Sequence, residues 1–201
     1  MRSLLSMLLP LVTASHSIVA IDEPEAFLHP PQAAALGRVL GELTRQRRLQ
    51  VVLATHDRNL LAGLLGSGAD TAVLRLDRTP QDTQLHSLPA DRLRELWESP
   101  VTRYSNVLDG LFYRLVVLAE SDADCRFYAA ALDAYDQQAT ASGRPLPVAA
   151  TDVLFVPAGG KAGLPALLQT LQAVSVPVVA TADLDVLNDE GLLRRIVEAL
   201  G

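Results

Sequence analysis

The sequence is poor in the residue types that mark several classes of protein. It contains one cysteine, Cys125, which excludes a disulfide framework and disfavours a zinc site built on thiolates. Aromatic residues make up 4% of the chain, too few for the base-stacking platforms of single-strand-binding proteins. The chain has 17 basic and 23 acidic residues, so its overall charge gives no indication that it binds nucleic acid. What remains, 49% hydrophobic and 20% charged residues over 201 positions, is typical of a folded chain with a core.

Long hydrophobic runs are also absent. No run reaches the roughly 18–20 apolar residues of a membrane span, so we expect no membrane partner. The first fourteen residues imitate a secretory signal peptide, with Arg2, an apolar run and then small residues. The alternative is a buried helix that leads into a core strand at Ser17–Ile21. We favour the second interpretation, which predicts that Met1–Leu11 is retained in a cytoplasmic protein.

The rest of the chain alternates short apolar runs with helical patterns. Buried strands are predicted at residues 17–21, 49–54, 71–76, 85–88, 115–119, 152–156 and 176–182. Helices are predicted at residues 31–47, 59–65, 90–97, 125–138, 164–174 and 192–200. Apolar strands joined by helices indicate an α/β fold whose parallel sheets are covered on both faces. We place a domain boundary near residue 112.

Acidic and histidine side chains follow the first two predicted strands. Asp22 and Glu23 come directly after the first strand, and Thr55, His56 and Asp57 follow the second. The carboxyl ends of parallel strands are where α/β folds place their chemistry. One carboxylate can hold Mg²⁺ there while its neighbour polarises a water molecule, and His56 can contact a γ-phosphate. Either feature alone is more simply a helix cap or a loop residue.

Together these residues carry a resemblance. The run IDEPEAFLHPPQ followed by VVLATHD closely resembles the Walker B, D-loop and H-loop segment of ABC-type ATPases, in the RecF-like and OLD (overcoming lysogenization defect) branch. The resemblance implies that Asp22 is the magnesium-binding Walker B residue, Glu23 the catalytic base and His56 the switch histidine. It also implies that residues 24–30 form a D-loop that faces a second subunit.

A phosphate loop of the form GxxxxGKS or GxxxxGKT does not occur in the sequence. The Gly159-Gly160-Lys161 run lies far downstream and lacks both the leading glycine and the following hydroxyl residue. In the family, the phosphate loop lies upstream of the segment matched here, so we expect the chain to be part of a longer protein. Because it lacks that cradle of backbone N–H groups, we expect it to bind ATP poorly alone.

A second group of carboxylates follows two later strands. Glu120 ends the strand at residues 115–119, with Asp124 four residues on, and Asp183 and Asp185 follow the strand at 176–182. If these strands are neighbours, four carboxylates converge at one edge and repel one another unless cations neutralise them. Hard oxygen ligands favour Mg²⁺, Mn²⁺ or Ca²⁺ over zinc, and a pair of such ions is the usual device for cutting phosphodiesters.

This half resembles a TOPRIM domain, the metal-binding fold of topoisomerases and primases. Its marks are a glutamate after the first strand, here in AESDAD, and a DxD after a later one, here in ADLD. An ABC-type ATPase followed by TOPRIM is the layout of OLD-family endonucleases. The resemblance implies that residues 1–112 are the C-terminal part of an ATPase domain and residues 113–201 an incomplete, Rossmann-like TOPRIM domain.

Three hypotheses follow for the function. The first is a portion of an OLD-like nuclease that uses ATP and divalent metal to cut DNA, with Glu120, Asp124, Asp183 and Asp185 as metal ligands and Lys161 contacting a phosphate. Its full-length form would be a homodimer or higher oligomer acting in phage defence. The second is a non-catalytic regulatory remnant, favoured by the missing phosphate loop. The third is a TOPRIM protein of DNA repair or recombination with another substrate.

Overall fold

The computed structural model describes residues 18–78 and 82–200. By its internal contacts the chain divides into two compact units, Met1–Ala72 and Val73–Gly201. The predicted retained segment Met1–Leu11 lies outside the described residues. Within those residues, no helix combines the length and the apolar character that a membrane span needs.

The first unit is a βαβα arrangement. Its elements are β1 (Ile18–Asp22), α1 (Pro30–Arg47), β2 (Gln50–Ala54) and α2 (Arg58–Gly66). β1 and β2 are parallel, in a register that runs from Ile18 opposite Gln50 to Asp22 opposite Ala54. The α1 helix begins with two prolines, whose fixed φ suits a first helical turn. The sequence therefore predicts the elements of this unit to within a residue or two.

The core of the first unit lies between its two helices and one face of the sheet. Leu36 and Leu40 of α1 pack with Leu60 and Leu64 of α2. The helices approach closely at two glycines: a Cβ on Gly37 or Gly63 would lie 2.2 or 2.1 Å from a backbone oxygen of the opposite helix. The packed face of the sheet presents its alternate residues, Val19, Ile21 and Leu53, to this cluster.

The other face of this sheet carries exposed apolar side chains. Ile18 is 64% exposed and Val52 62% exposed. The prediction that these two strands are buried on both faces is therefore wrong, because the described residues place only helices α1 and α2 against one face. The strand positions themselves are confirmed.

The second unit begins with an antiparallel hairpin. β3 (Val73–Arg78) pairs antiparallel with β4 (Thr83–Leu88), and no predicted helix joins these two strands. Arg75 is buried on β3 and donates hydrogen bonds to the backbone oxygens of Ser175 (3.1 Å) and Tyr113 (3.3 Å). These bonds tie the hairpin to the rest of the second unit. The predicted boundary near residue 112 falls inside that unit. The assignment of family domains to the chain stays a prediction.

The remainder of the second unit is a three-layer arrangement around a parallel sheet of order β6-β5-β7. Its strands are β5 (Leu115–Ala119), β6 (Val153–Pro157) and β7 (Val178–Ala180). Its helices are α3 (Ala90–Glu98), α4 (Pro100–Tyr104), α5 (Asp122–Ala141), α6 (Leu164–Ala173) and α7 (Glu190–Leu200). The central strand is well covered, with Val116, Leu118 and Ala119 fully buried. Here the predicted parallel pairing is confirmed, although β7 is shorter than predicted.

Candidate functional sites at two sheet edges

The first sheet edge is formed by the carboxyl ends of β1 and β2. Asp22 is the last residue of β1 and lies opposite Ala54 in the register. The Glu23 N–H donates to the Ala54 oxygen at 2.9 Å, which carries the pairing one residue further. Glu23 then turns away with a left-handed φ of 44°, a backbone conformation that costs a non-glycine residue about 1–2 kcal/mol. The strained turn fixes where the Glu23 side chain leaves the sheet.

Two of the predicted site residues meet at this edge. The Glu23 Oε1 lies 3.4 Å from the His56 Nδ1, and both side chains are largely exposed. An exposed pair of this kind adds little to stability. The pair is better suited to chemistry, because a carboxylate that can accept a proton lies next to an imidazole that can donate one. Both side chains face solvent. Glu23 directly follows the exposed Asp22.

A buried hydrogen-bonded layer lies beneath the pair, and sequence reasoning missed it. Glu25 is only 6% exposed, and its Oε1 accepts from the Thr55 Oγ1 at 2.6 Å. The Thr55 Oγ1 accepts in turn from the Asp57 N–H at 3.0 Å. Asp57 is the N-cap of α2, where its carboxylate accepts from the N–H groups of Asn59 and Leu60. The adjacency of Thr55 and Asp57 to a strand end was visible in the sequence, but nothing there indicated the link to Glu25.

The predicted D-loop is a compact turn between β1 and α1. The Ala26 N–H donates to the Glu23 oxygen, and the Leu28 N–H donates to the Glu25 oxygen. Phe27 has a left-handed φ of 69° and its side chain is 99% exposed, while Leu28 packs on the core. The turn thus presents an aromatic ring outward, and its role toward a second subunit stays a prediction.

The second sheet edge lies at the carboxyl ends of β5, β6 and β7. β5 pairs with β7 in parallel, as the convergence of their carboxylates requires. The Glu120 Oε1 accepts from the Asp183 N–H at 2.9 Å, so these two predicted ligands are in contact. The Glu120 backbone oxygen accepts from the Gly160 N–H at 2.7 Å, which brings the loop after β6 to the same place.

Lys161 supplies a positive charge at this edge. Its Nζ lies 2.6 Å from the Asp185 Oδ2. The hydrogen bond to Asp185 raises the pKa of the Lys161 ammonium above its usual 10.5, and the charges of Asp185, Glu120 and Asp189 act in the same direction. Gly159 and Gly160 precede it with left-handed φ values of 70° and 105°, conformations that suit glycine. Contact of Lys161 with a phosphate stays a prediction.

Asp124 serves the start of α5. Its Oδ2 accepts from the Ser121 N–H at 3.0 Å and from the Ser121 Oγ at 2.6 Å, while the Asp124 N–H donates to that hydroxyl. This reciprocal arrangement is a capping box, and the Ser-x-x-Asp spacing could have indicated it from the sequence. Among residues 18–78 and 82–200, no group of three or more His, Cys, Asp or Glu side chains is placed to hold a metal ion. The assignment of Glu120, Asp124, Asp183 and Asp185 as ligands therefore stays a prediction.

Comparison with known proteins supports an ATPase-like first part of the chain. Residues 1–62 match the family model described as "AAA domain, putative AbiEii toxin, Type IV TA system". A solved SMC ATPase structure, from work on "ATP-driven dimerization and DNA stimulated activation of SMC ATPases", is 13% identical with a TM-score of 0.36. That match covers 48% of this chain and 57% of the other, so this chain spans little more than half the length of the SMC ATPase chain. The comparison with curated proteins gave no match. The shared features over residues 1–62 are those of an AAA- or ABC-type ATPase domain, which suggests an ATP-binding function.

Proposed function

We propose that the first unit supplies the hydrolytic residues of an ATP-hydrolysing site of the ABC type, which lie at the edge of its sheet. The observation that carries the proposal is the 3.4 Å approach of Glu23 to His56 at the carboxyl ends of two parallel strands. The match of residues 1–62 to an AAA-domain family model agrees with it.

Each residue has a role in this proposal. Asp22 offers an exposed carboxylate at the strand end, the hard oxygen donor that Mg²⁺ prefers, so the residues present fit that ion. Mg²⁺ bound with ATP would neutralise charge that develops on the phosphates. Glu23 accepts the proton of the attacking water and orients it, and His56 donates a hydrogen bond to the γ-phosphate. ATP itself would be held mainly by a phosphate loop, which this sequence does not contain.

Two measurements test this proposal. Calorimetric titration of the 201-residue chain with Mg-ATP should give no saturable binding below millimolar concentration, and micromolar affinity would contradict the expected need for a separate phosphate loop. In a version of the protein that includes such a loop, Glu23→Gln should abolish hydrolysis and retain ATP binding. Glu42→Gln, at an exposed position of α1, is the matched control. Hydrolysis that survives Glu23→Gln would rule out Glu23 as the base.

We further propose that the second unit serves DNA cleavage of the TOPRIM kind. What favours it is the parallel pairing of β5 with β7 and the gathering of Glu120, Lys161, Asp183 and Asp185 at one edge. In the arrangement described, Asp124 is engaged in a helix cap and Asp185 in an ion pair, which does not fit a bound metal ion. We therefore assign no step to a metal.

Plasmid nicking separates this proposal from its rivals. A version that includes the ATPase phosphate loop should nick supercoiled DNA, and Glu120→Ala or Asp183→Ala should abolish nicking while ATP hydrolysis continues. Asp122→Ala is the control, because Asp122 points to Arg126 on the outer face of α5. Nicking that survives both substitutions would exclude this edge. Absence of nicking in every form would favour a regulatory remnant or a repair factor with another substrate.

A further inference from the structure

We infer that Glu25 is a positioning residue that holds the loop of His56 against the turn of Glu23. The inference rests on the proposed role of Glu23 and His56. Glu25 and Thr55 are thirty residues apart in the chain, and their side chains form the hydrogen bond that joins the two loops from below. Glu25 is nine-tenths buried, in contrast to the exposed pair above it.

The hydrogens in this layer can be assigned from its donors and acceptors. The Thr55 hydroxyl has one hydrogen and accepts from the Asp57 N–H, so its own hydrogen is donated to the Glu25 Oε1. The 2.6 Å distance is that of a hydroxyl donating to a carboxylate. Asp57 is fixed to α2 by its cap bonds. His56 thus stands between two residues that are each tied down.

The turn that presents Glu23 is held by backbone hydrogen bonds, which the main-chain oxygens of Glu23 and Glu25 accept. The Leu28 N–H donates to the Glu25 oxygen and the Ala26 N–H donates to the Glu23 oxygen. Anchoring Glu25 inside the unit therefore restrains the strained backbone at Glu23. Glu23 lies two residues before Glu25 and His56 lies next to Thr55, so both members of the exposed pair are close in the chain to the Glu25–Thr55 hydrogen bond.

The second oxygen of Glu25 indicates that this arrangement does not serve stability. Within the part of the chain that the structure describes, the Glu25 Oε2 is buried and has no hydrogen-bond partner. A half-satisfied buried carboxylate lowers stability relative to an apolar side chain of similar volume. The contribution of Glu25 is consequently the placement of Thr55 and His56.

Amide hydrogen exchange tests this inference without nucleotide, metal or DNA. Thr55→Val and Glu25→Ala each break the bond, so the Asp57 amide should exchange about tenfold faster than in the parent, since a lost hydrogen bond weakens local protection. The Leu40 amide in the core of α1 serves as the reference. Thr55→Ser and Glu25→Gln keep a donor and an acceptor and should restore exchange to near the parent rate.

Thr44→Val is the matched control. It removes a half-buried hydroxyl of the same unit that bonds only within α1, to the Gly41 oxygen at 2.7 Å. Parent-like exchange at Asp57 in Glu25→Ala would overturn the inference, as would equal acceleration in Thr44→Val or in the two conservative variants. Glu25→Ala carries the test if Thr55→Val fails to fold, because it removes the buried carboxylate that Thr55→Val leaves without its hydrogen bond from the Thr55 hydroxyl.

ATP hydrolysis provides a second readout, which would stay unchanged if the role of Glu25 were purely structural. In a version that carries a phosphate loop, Glu25→Ala should lower kcat and leave the KM for ATP unchanged, and Glu25→Gln should recover most of kcat. A rise in KM with kcat unchanged would contradict positioning. If no form hydrolyses ATP, the proposed function fails, and the exchange result still decides whether Glu25 holds the loop.

Discussion

The two sheet edges differ in how their charged side chains are paired. At the first edge, Glu23 and His56 are exposed and face each other at 3.4 Å, while the hydrogen bonds that fix their backbones lie beneath them. At the second edge, three carboxylates are already engaged by their own chain. Glu120 accepts from a backbone N–H, Asp124 caps a helix, and Asp185 pairs with Lys161.

The first edge is therefore an exposed site, whereas the carboxylates of the second edge are already compensated by neighbouring groups. Carboxylates placed near one another need a compensating charge or hydrogen bonds, and the second unit supplies both from within. The first unit leaves its acid and base free to meet a ligand. We therefore expect the first edge to depend on the support beneath it, and the second to respond to whatever competes with Lys161.

The largest expected effect comes from disturbing the packing of α1 against α2 in the first unit. Gly63→Ala would place a Cβ 2.1 Å from the Ala34 oxygen, so α1 and α2 must move apart. Overpacking of this kind costs about 1–3 kcal/mol in the free energy of unfolding. Chemical denaturation, with amide protection of Leu60 as the local probe, measures the loss.

Gly66→Ala is the control in the same helix. A Cβ at Gly66 meets nothing within 4 Å. Alanine is the better helix former, so this change should be neutral or stabilising by up to about 1 kcal/mol. Equal destabilisation by the two changes would show that the close helix approach does not hold this unit together.

How well each edge could be predicted depends on whether local or long-range interactions form it. The strands and helices were predictable because apolar periodicity and proline placement are local, and β1, α1 and β5 begin and end close to their predicted positions. The adjacency of Glu23 to His56 followed from the rule that parallel strands end at one edge. The pairing of β5 with β7 was a condition of the carboxylate convergence, and the register meets it.

Long-range contacts were beyond the sequence. The buried Arg75 bonds to backbone oxygens 38 and 100 positions away, which placed the hairpin in the second unit. The exposed face of β1 and β2 depends on what packs there, which an apolar strand pattern does not state. Asp124 is different, because the Ser121-x-x-Asp124 spacing is local and typical of a helix start. Its role as a cap could have been weighed against a role as a ligand.

A second, smaller effect should come from the cap at the second edge. Ser121→Ala removes the N-cap hydroxyl of α5 and should cost about 1 kcal/mol in the free energy of unfolding. Asp124→Ala should cost a similar amount, with or without Mn²⁺. Asp122→Ala loses only an exposed pair with Arg126 and should cost less than about 0.5 kcal/mol. A loss in Asp124→Ala that occurs only when Mn²⁺ is present would identify Asp124 as a ligand instead.

A third prediction concerns competition between Lys161 and a divalent ion. Lys161→Met frees Asp185 from its ion pair, so millimolar Mn²⁺ should raise the melting temperature more in this variant than in the parent. The rise should disappear in Glu120→Ala and Asp183→Ala. Arg126→Met, which frees Asp122 on the outer face of α5, is the control. A smaller Mn²⁺ response in Lys161→Met than in the parent would show that Lys161 assists the ion and does not compete with it.

The smallest expected effect is a change in the pKa of Lys161, which measures how strongly this lysine interacts with the carboxylates of the second edge. The hydrogen bond from Lys161 to Asp185 raises the pKa of the ammonium above 10.5. Because the folded value is the higher one, the stabilisation is complete below pH 10.5 and is lost as the pH rises through the folded value. A lysine NMR titration should therefore find Lys161 deprotonating later than an ordinary lysine. Asp185→Asn should bring its pKa down, whereas Asp122→Asn, on the outer face of α5, should leave it unchanged. An unchanged pKa in Asp185→Asn would mean that Glu120 and Asp189 hold the proton on Lys161, and Lys161 would then compensate the whole acidic group and not Asp185 alone.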